Sequence, residues 1–389
     1  MQYFETGKVV VMLDRSKTAP PSPVTHADIF CEIDFDKTEV LFQSEDNAHN
    51  IGDIVLVHLK CLKMESLFAA MEALVDNPHI IAVEPNSLFG RSIIPNDPDF
   101  KLLWGMERIH MPDAWDTTTG SADIVVGVID SGIDHSHPDI AANMWVSPDG
   151  HYGWNFDDNT SDTMDKTGHG THVAGVIGAV GNNLLGITGV NWNVKIAALK
   201  IGDRAFGLDA AIAAINFANQ HGIHVLNASW GGRYYSQALE FAVAHYDGLF
   251  VAAAGNVGTN NDLFPDYPSS FGGDNHIAVA ASDENDALAR FSNYGVVSVD
   301  LAAPGSHIYS LDTAGAYSYE DGTSMAAPHV AGAAALLKSF RPHLSAAQLK
   351  AALLSTVQKH PDMAAEVLTG GVLDVGAMMR EVAAVKEER

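Results

Sequence analysis

The sequence predicts an α/β protein: a three-layer body with a central, mostly parallel sheet and helices on both faces, preceded by a small α+β domain. Three observations lead there. Between residues 124 and 281, short apolar runs alternate with small-residue helical stretches, the pattern of βα units that wind a parallel sheet. Residues 324–338 form one Ala-rich stretch suited to a helix buried at the centre of such a body. Residues 7–86, in contrast, read as several strands around a single amphipathic helix.

In the first segment, residues 8–13, 39–43, 54–59 and 80–83 are strand-like. Leu67, Ala70, Met71 and Leu74 recur at helical spacing and predict a helix over 64–75. Residues 89–97 read as a linker and 104–115 as an arm entering the body, so the chain divides into 1–91 and 92–389. Strands are expected at 124–130, 195–201, 225–229, 250–254 and 276–281, and helices at 169–180, 208–220, 237–245 and 324–338. Ser345 is a natural N-cap for a helix over 345–356, and a last, exposed helix covers 374–388.

Composition limits the function. A length of 389 residues, 47% of them hydrophobic, fits two or three globular, soluble domains. No apolar run reaches the ~18 residues needed to cross a bilayer. The opening MQYFE lacks the basic-then-apolar pattern of a secretory signal, and export is not legible here. A formal charge of −26 argues against nucleic-acid binding and favours attraction of basic peptides. Cys31 and Cys61 fit one disulfide or two free thiols equally, and neither lies beside a histidine motif.

Three motifs carry chemistry. Gly322-Thr323-Ser324-Met325-Ala326-Ala327-Pro328 puts a serine behind a glycine turn at a helix start, where it is either a nucleophile or an ordinary cap. Val128-Ile129-Asp130-Ser131-Gly132 places Asp130 at the carboxyl end of a buried strand, and His169-Gly170-Thr171-His172 places His169 at the mouth of a helix. Either residue alone reads as structural. Together with Ser324 they supply acid, base and nucleophile for acyl transfer. His172 and His329 read as packed, hydrogen-bonded interior histidines, and His135 and His137 show no zinc-ligand spacing, so a metalloprotease is excluded.

The order Asp, His, Ser resembles the subtilisin-like serine proteases. The resemblance spans roughly residues 96–385 and includes Asn227-Ala228-Ser229-Trp230-Gly231-Gly232, Ala252-Ala253-Ala254-Gly255-Asn256, Phe291-Ser292-Asn293-Tyr294-Gly295 and Ala302-Ala303-Pro304-Gly305. It implies a subtilisin-like fold and a serine endopeptidase acting on peptides or proteins as a monomer. It makes Ser324 the nucleophile, His169 the general base, Asp130 its orienting acid and Asn256 an oxyanion donor beside the Ser324 backbone N–H.

By the same resemblance Ser229, Trp230 and Gly231, with Ala254 and Gly255, wall the S1 pocket, and Phe206-Gly207 lies on an opposing strand that pairs with substrate. Asp266, just before Tyr267-Pro268, falls at the floor of S1, where a carboxylate would select Arg or Lys at P1. Arg91 in the linker would suit self-cleavage by that pocket. Structural calcium is the implied cofactor. Its ligands would be the Asn183 side chain and the carbonyls of Gly181, Leu185 and Ile187, with Asp139 and Asp97. Asp157, Asp158, Asp162 and Asp165 make a second calcium site or a solvated acidic loop. The ending Ala82-Val83-Glu84-Pro85-Asn86 resembles the tail of an intramolecular propeptide with a ferredoxin-like fold, although Ala19-Pro20-Pro21-Ser22-Pro23 cannot lie inside that fold's first helix. Two alternatives share the motifs: a maturation protease or transpeptidase dedicated to one partner, and a non-hydrolytic binding protein.

Overall fold

A computed structural model describes residues 3–18, 24–43, 51–88 and 93–384. The chain forms two compact units, Met1–Arg91 and Ser92–Arg389. In the first, β1 (Tyr3–Asp14), β2 (Phe35–Phe42), β3 (Ile51–Leu59) and β4 (Ile80–Leu88) form an antiparallel sheet in the order β2-β3-β1-β4. Short helices α1 (Arg15–Thr18) and α2 (His26–Ile29) follow β1, and α3 (Met64–Val75) joins β3 to β4. The β-α-β-β-α-β succession is the ferredoxin-like one. Its first helical crossover is split into two four-residue pieces, and the proline run 19–23 between them lies outside the described residues. Leu67, Ala70 and Leu74 of α3 are buried on Val9, Val11, Val55 and Val57 of the sheet, as their helical spacing requires.

The second unit begins with α4 (Trp104–Arg108) and α5 (Met111–Trp115). Its central strands are β5 (Gly120–Asp130), β6 (Gly153–Asn155), β7 (Asn193–Lys200), β8 (Val225–Ala228), β9 (Leu249–Ala253) and β10 (His276–Ser282). Four helices are interleaved with them: α6 (His169–Gly178), α7 (Leu208–Gln220), α8 (Gln237–Ala244) and, later, α9 (Thr323–Phe340). Then come β11 (Leu301–Pro304), a hairpin of β12 (Ile308–Leu311) and β13 (Tyr317–Glu320), α10 (Ala346–Ser355), β14 (Gln358–Lys359), β15 (Gly371–Val372) and α11 (Val375–Ala384). The nine-stranded sheet runs β14-β15-β11-β10-β9-β8-β5-β7-β6, parallel throughout except at β14.

Alternation along β5 builds the three layers. Val126 and Val128 face Val173 and Ile177 of α6 and Val330 and Ala334 of α9, whereas Ile129 joins Ala211 and Ile215 of α7 and Leu239 of α8. α9 is buried from Thr323 to Leu337, and its small residues let it approach closely: a Cβ on Gly332 would lie 2.8 Å from Val190 Cβ. Strands β6, β11, β14 and β15 and the β12–β13 hairpin were not expected. Each strand has two to four residues, too few to show a period.

Candidate active site

Parallel strands bring their carboxyl ends to one edge, where open α/β sheets bind ligands. β5 ends in Asp130, β8 runs into Ser229, and β9 into Ala254-Gly255-Asn256. His169 opens α6 and Ser324 is the second residue of α9. Asp130 is fully buried, and its Oδ1 accepts from Ser131 N at 2.7 Å and from His169 Nδ1 at 2.7 Å. In the neutral ring, donation from Nδ1 leaves Nε2 as the acceptor nitrogen, and Nε2 makes no hydrogen bond among the described residues. Burial lowers the His169 pKa, but the charge and hydrogen bond of Asp130, aided by Glu320 and Asp165, outweigh it and raise it to about 9.

Ser324 is held by a consequence of its own motif. Pro328 has no N–H, so the carbonyl four residues earlier, that of Ser324, loses its helical partner. Ser229 Oγ donates to that carbonyl at 2.8 Å, and Asn227 Nδ2 donates to Ser229 Oγ at 2.9 Å. In return Ser324 Oγ donates to the Ser229 carbonyl at 3.1 Å rather than to His169. A serine–base contact is commonly loose without substrate and tightens in the complex. The orienting role of the Ser229 hydroxyl was not read from the sequence, although Pro328 was the available signal.

Asn256 Oδ1 accepts from Thr323 N at 2.8 Å and Thr323 Oγ1 at 2.9 Å, which turns Nδ2 away from them. A Cβ on Gly322 would lie 3.5 Å from Asn256 Nδ2 and 3.5 Å from Ser324 N, so both donors line one volume that the glycine keeps empty. Gly322 is extended (φ 163°, ψ 158°), and space rather than conformation accounts for it. Gly255 does need its left-handed φ of +113°, and Asn293 Nδ2 stands where its side chain would go.

Asp266 lies between the two segments expected to wall S1. Its Oδ1 stands against Gly231, where a Cβ would collide, and its Cγ lies 3.5 Å from where a Gly255 Cβ would be. It is half-buried, and burial raises its pKa while Arg233 and the Gly232 N–H pull it back. Trp230 Nε1 donates to Ile129 O at 2.9 Å, and its ring meets Phe206 edge-on at 6.5 Å. Phe206-Gly207 is not a strand, which corrects that expectation. It is a segment outside any strand that ends at Gly207, the N-cap of α7 (φ −75°, ψ 135°), and no strand pairs with it among the described residues.

The expected calcium ligands are adjacent. Asp97 Oδ2 and Oδ1 accept from Asn182 N at 2.7 Å and Asn183 N at 3.0 Å. Asp139 Oδ1 accepts from Asn183 Nδ2 at 2.8 Å, and its Oδ2 from Ile187 N at 2.9 Å. Leu185 N donates to Asn183 Oδ1 at 2.8 Å, and Gly181 precedes these residues in the same loop. Both carboxylates are buried, at 4% and 0% exposure, and no lysine, arginine or histidine pairs with either among the described residues. Burial and then the nearby Asp97 raise the Asp139 pKa, which is the environment a hard cation relieves. In donor type these residues suit calcium, although each oxygen of the two carboxylates already accepts from an N–H of the loop. The second acidic group does not converge: Asp157, Asp158 and Asp162 are exposed and Asp165 is buried. Among the described residues no three His, Cys, Asp or Glu side chains form a metal-holding group.

His172 Nε2 bonds Ile308 O at 3.0 Å and His329 Nδ1 bonds Met325 O at 2.8 Å, both inside the core. Cys31 and Cys61 are exposed and unjoined. Arg91 lies outside the described residues, and no described helix is long and apolar enough to cross a membrane.

Comparison with known proteins agrees on one family. Residues 121–371 match the subtilase family, Peptidase_S8. The chain is 40% identical over 310 residues to a thermophilic serine proteinase of Bacillus sp. (strain AK1), covering 78% of this chain and 74% of that protein. It is 40% identical over 271 residues to thermitase of Thermoactinomyces vulgaris, covering 68% of this chain and 92% of that protein. Among solved structures, a protease from Pseudoalteromonas arctica PAMC 21717 superposes with a TM-score of 0.65 at 30% identity, covering 74% of this chain and 99% of that one.

Proposed function

Given that the chain belongs to the subtilase family and is a serine endopeptidase, we propose that it cleaves peptide bonds through an acyl-enzyme on Ser324. His169 Nε2 takes the Ser324 Oγ proton as the oxygen attacks the carbonyl carbon. Asp130 holds the imidazole in the Nδ1–H tautomer and stabilises the imidazolium. Ser324 N–H and Asn256 Nδ2 bind the developing oxyanion, and His169 then protonates the leaving amine. Water repeats the sequence on the ester and frees Ser324. The observation that carries this reading is the 2.7 Å bond from His169 Nδ1 to buried Asp130, with Nε2 unbonded among the described residues.

Ser229, Trp230, Gly231, Ala254 and Gly255 wall S1 in this reading, and Phe206-Gly207 offers substrate a backbone edge. Asp266 supports a preference for Arg or Lys at P1, because no cation forms a salt bridge with it among the described residues and it stands against both wall glycines. Residues 1–91 act as an intramolecular propeptide, removed by self-cleavage near Arg91, and the mature enzyme is a monomer. Asp97, Asp139 and Asn183, with the carbonyls of Gly181, Leu185 and Ile187, hold calcium, whose charge stabilises the loop and takes no part in the reaction.

The test is incubation of the purified full chain, with and without calcium, beside Ser324→Ala, followed by N-terminal sequencing and turnover of peptide amides. Shortening near residue 91 and turnover in the unaltered chain alone are expected. Two proteins that stay full length and inert would overturn the reading.

A further inference from the structure

We infer that Asp165 is a positioning residue for the reaction, the group through which Ser131 and the first turn of α6 hold His169 against Asp130. The inference rests on the proposed roles of Asp130, His169 and Ser324. Asp130 and His169 come from different elements, 39 residues apart, so their 2.7 Å bond depends on whatever locks the end of β5 to the start of α6. One carboxylate spans that gap.

Asp165 Oδ1 accepts from Ser131 Oγ at 3.0 Å, Thr167 N at 2.9 Å, Thr167 Oγ1 at 3.1 Å and Gly168 N at 3.1 Å. Its Oδ2 accepts from Thr171 N at 3.0 Å and Thr171 Oγ1 at 2.7 Å. Ser131 Oγ accepts in turn from Gly170 N at 3.0 Å. Both neighbours of His169 are thus tied, directly or through Ser131, to a side chain that is 4% exposed. The surrounding loops are closed independently: Lys200 Nζ donates to Ser131 O at 2.8 Å and Met164 O at 3.0 Å, and Ile133 N to Thr163 O at 2.9 Å. Asp165 therefore sits in a preformed frame.

Every partner of Asp165 is a donor, so an asparagine would press an NH2 group against N–H or O–H groups whichever way it turned. The carboxylate also lies at the amino end of α6, where the helix dipole favours negative charge. Charged groups facing His169 are Asp130 from β5, Glu320 from β13 and Asp165 itself, with His172 one turn along α6 and Asp312 against Gly168. Removing one negative charge from that set favours neutral imidazole.

The experiment uses the full chain and compares it with Asp165→Asn and Ser131→Ala, counting competent sites with a fluorophosphonate and measuring kcat, KM and their pH profiles on a peptide amide. For Asp165→Asn, kcat per titrated site should fall by about 10²-fold, the scale of a misplaced reacting group, with KM little changed. Its acid limb should move to lower pH. Ser131→Ala, which keeps the charge, should lower kcat per site without moving the limb. A purely structural role would lower the number of sites and leave kcat per site alone, and that result for Asp165→Asn overturns the inference whether or not the lost charge moves the limb. If Asp165→Asn does not fold, Ser131→Ala decides: kcat per site at the unaltered value refutes it. An unaltered chain that the fluorophosphonate does not label, or labels no better than Ser324→Ala, refutes the serine reading itself and the inference with it.

Discussion

Replacing Asp266 by Asn isolates the charge at the floor of the proposed S1 pocket. The two side chains have nearly the same shape, and the close approach to Gly231 and Gly255 should survive. A charge-assisted hydrogen bond to a basic P1 group contributes about 1.5–3 kcal/mol net. The Coulomb term at 4 Å and an effective dielectric of 20, about 4 kcal/mol, sets the ceiling. Arg233, whose charge already acts on Asp266, argues for the lower part of that range. With tenfold per about 1.4 kcal/mol, kcat/KM for Arg and Lys substrates should fall about 10- to 100-fold. The assay is a series of fluorogenic peptide amides differing only at P1, with Arg, Lys, Met and Leu. Met and Leu substrates should change by less than about threefold, since they meet no charge. In the unaltered enzyme the discrimination should fade as pH falls through a value above the ordinary 3.8, because burial raises the Asp266 pKa. Equal Arg-to-Leu ratios in the two proteins would refute the assignment.

Four further outcomes follow from the same structure. On the proposed mechanism turnover needs neutral His169, whose pKa is raised to about 9, so kcat/KM should climb with pH toward that value, and an acid limb at or below 6.5 would contradict it. The folded pKa exceeds the unfolded one, so this group stabilises the fold below pH 6.5 and loses that contribution as pH rises through about 9. Burial holds His172, His276 and His329 neutral, with pKa values lowered to about 4, 3 and 4. Their contribution is present above 6.5 and lost as pH falls toward those values, so the urea midpoint of Ser324→Ala should drop between pH 6.5 and 4, and a flat midpoint would count against it. Gly322→Ala should fold normally, since its Cβ would meet only ordinary contacts at 3.5–3.6 Å, yet lose turnover by filling the volume lined by Asn256 and Ser324 N. Loss of one such donor from a subtilisin costs about 10²- to 10³-fold, and a Gly322→Ala enzyme of full activity would exclude this volume as the oxyanion site. Chelation should lower the melting temperature of Ser324→Ala but not of Ser324→Ala/Asp139→Asn; at a hundred times Kd, calcium adds about 2.7 kcal/mol, and equal responses would remove the site.

The long elements were legible because they carry their own period or cap. The helix predicted over 64–75 is α3, and Ser345 caps α10 in a capping box with Gln348. The short strands of the sheet margin were not, since pairing rather than local pattern creates them. In the candidate site, residue types in their motifs pointed to Asp130, His169 and Ser324, at a strand end or a helix start, whereas Asn256 came only from the family resemblance. The Phe206-Gly207 segment was misread because an extended backbone becomes a strand only when a partner pairs with it.

From sequence alone came the chemistry available: an acid, a base and a nucleophile in a fixed order, glycines and prolines where a turn or a missing N–H is required, and an acidic chain with an apolar, wound core. Tertiary structure decided how those groups are placed and held. It separated Asp165, buried with six hydrogen bonds, from its exposed neighbours Asp157, Asp158 and Asp162. It also supplied Ser229, 95 residues away, to the carbonyl that Pro328 leaves unpaired. Periodicity and capping act within a few residues, whereas these partners meet only because the strand order places distant carboxyl ends side by side.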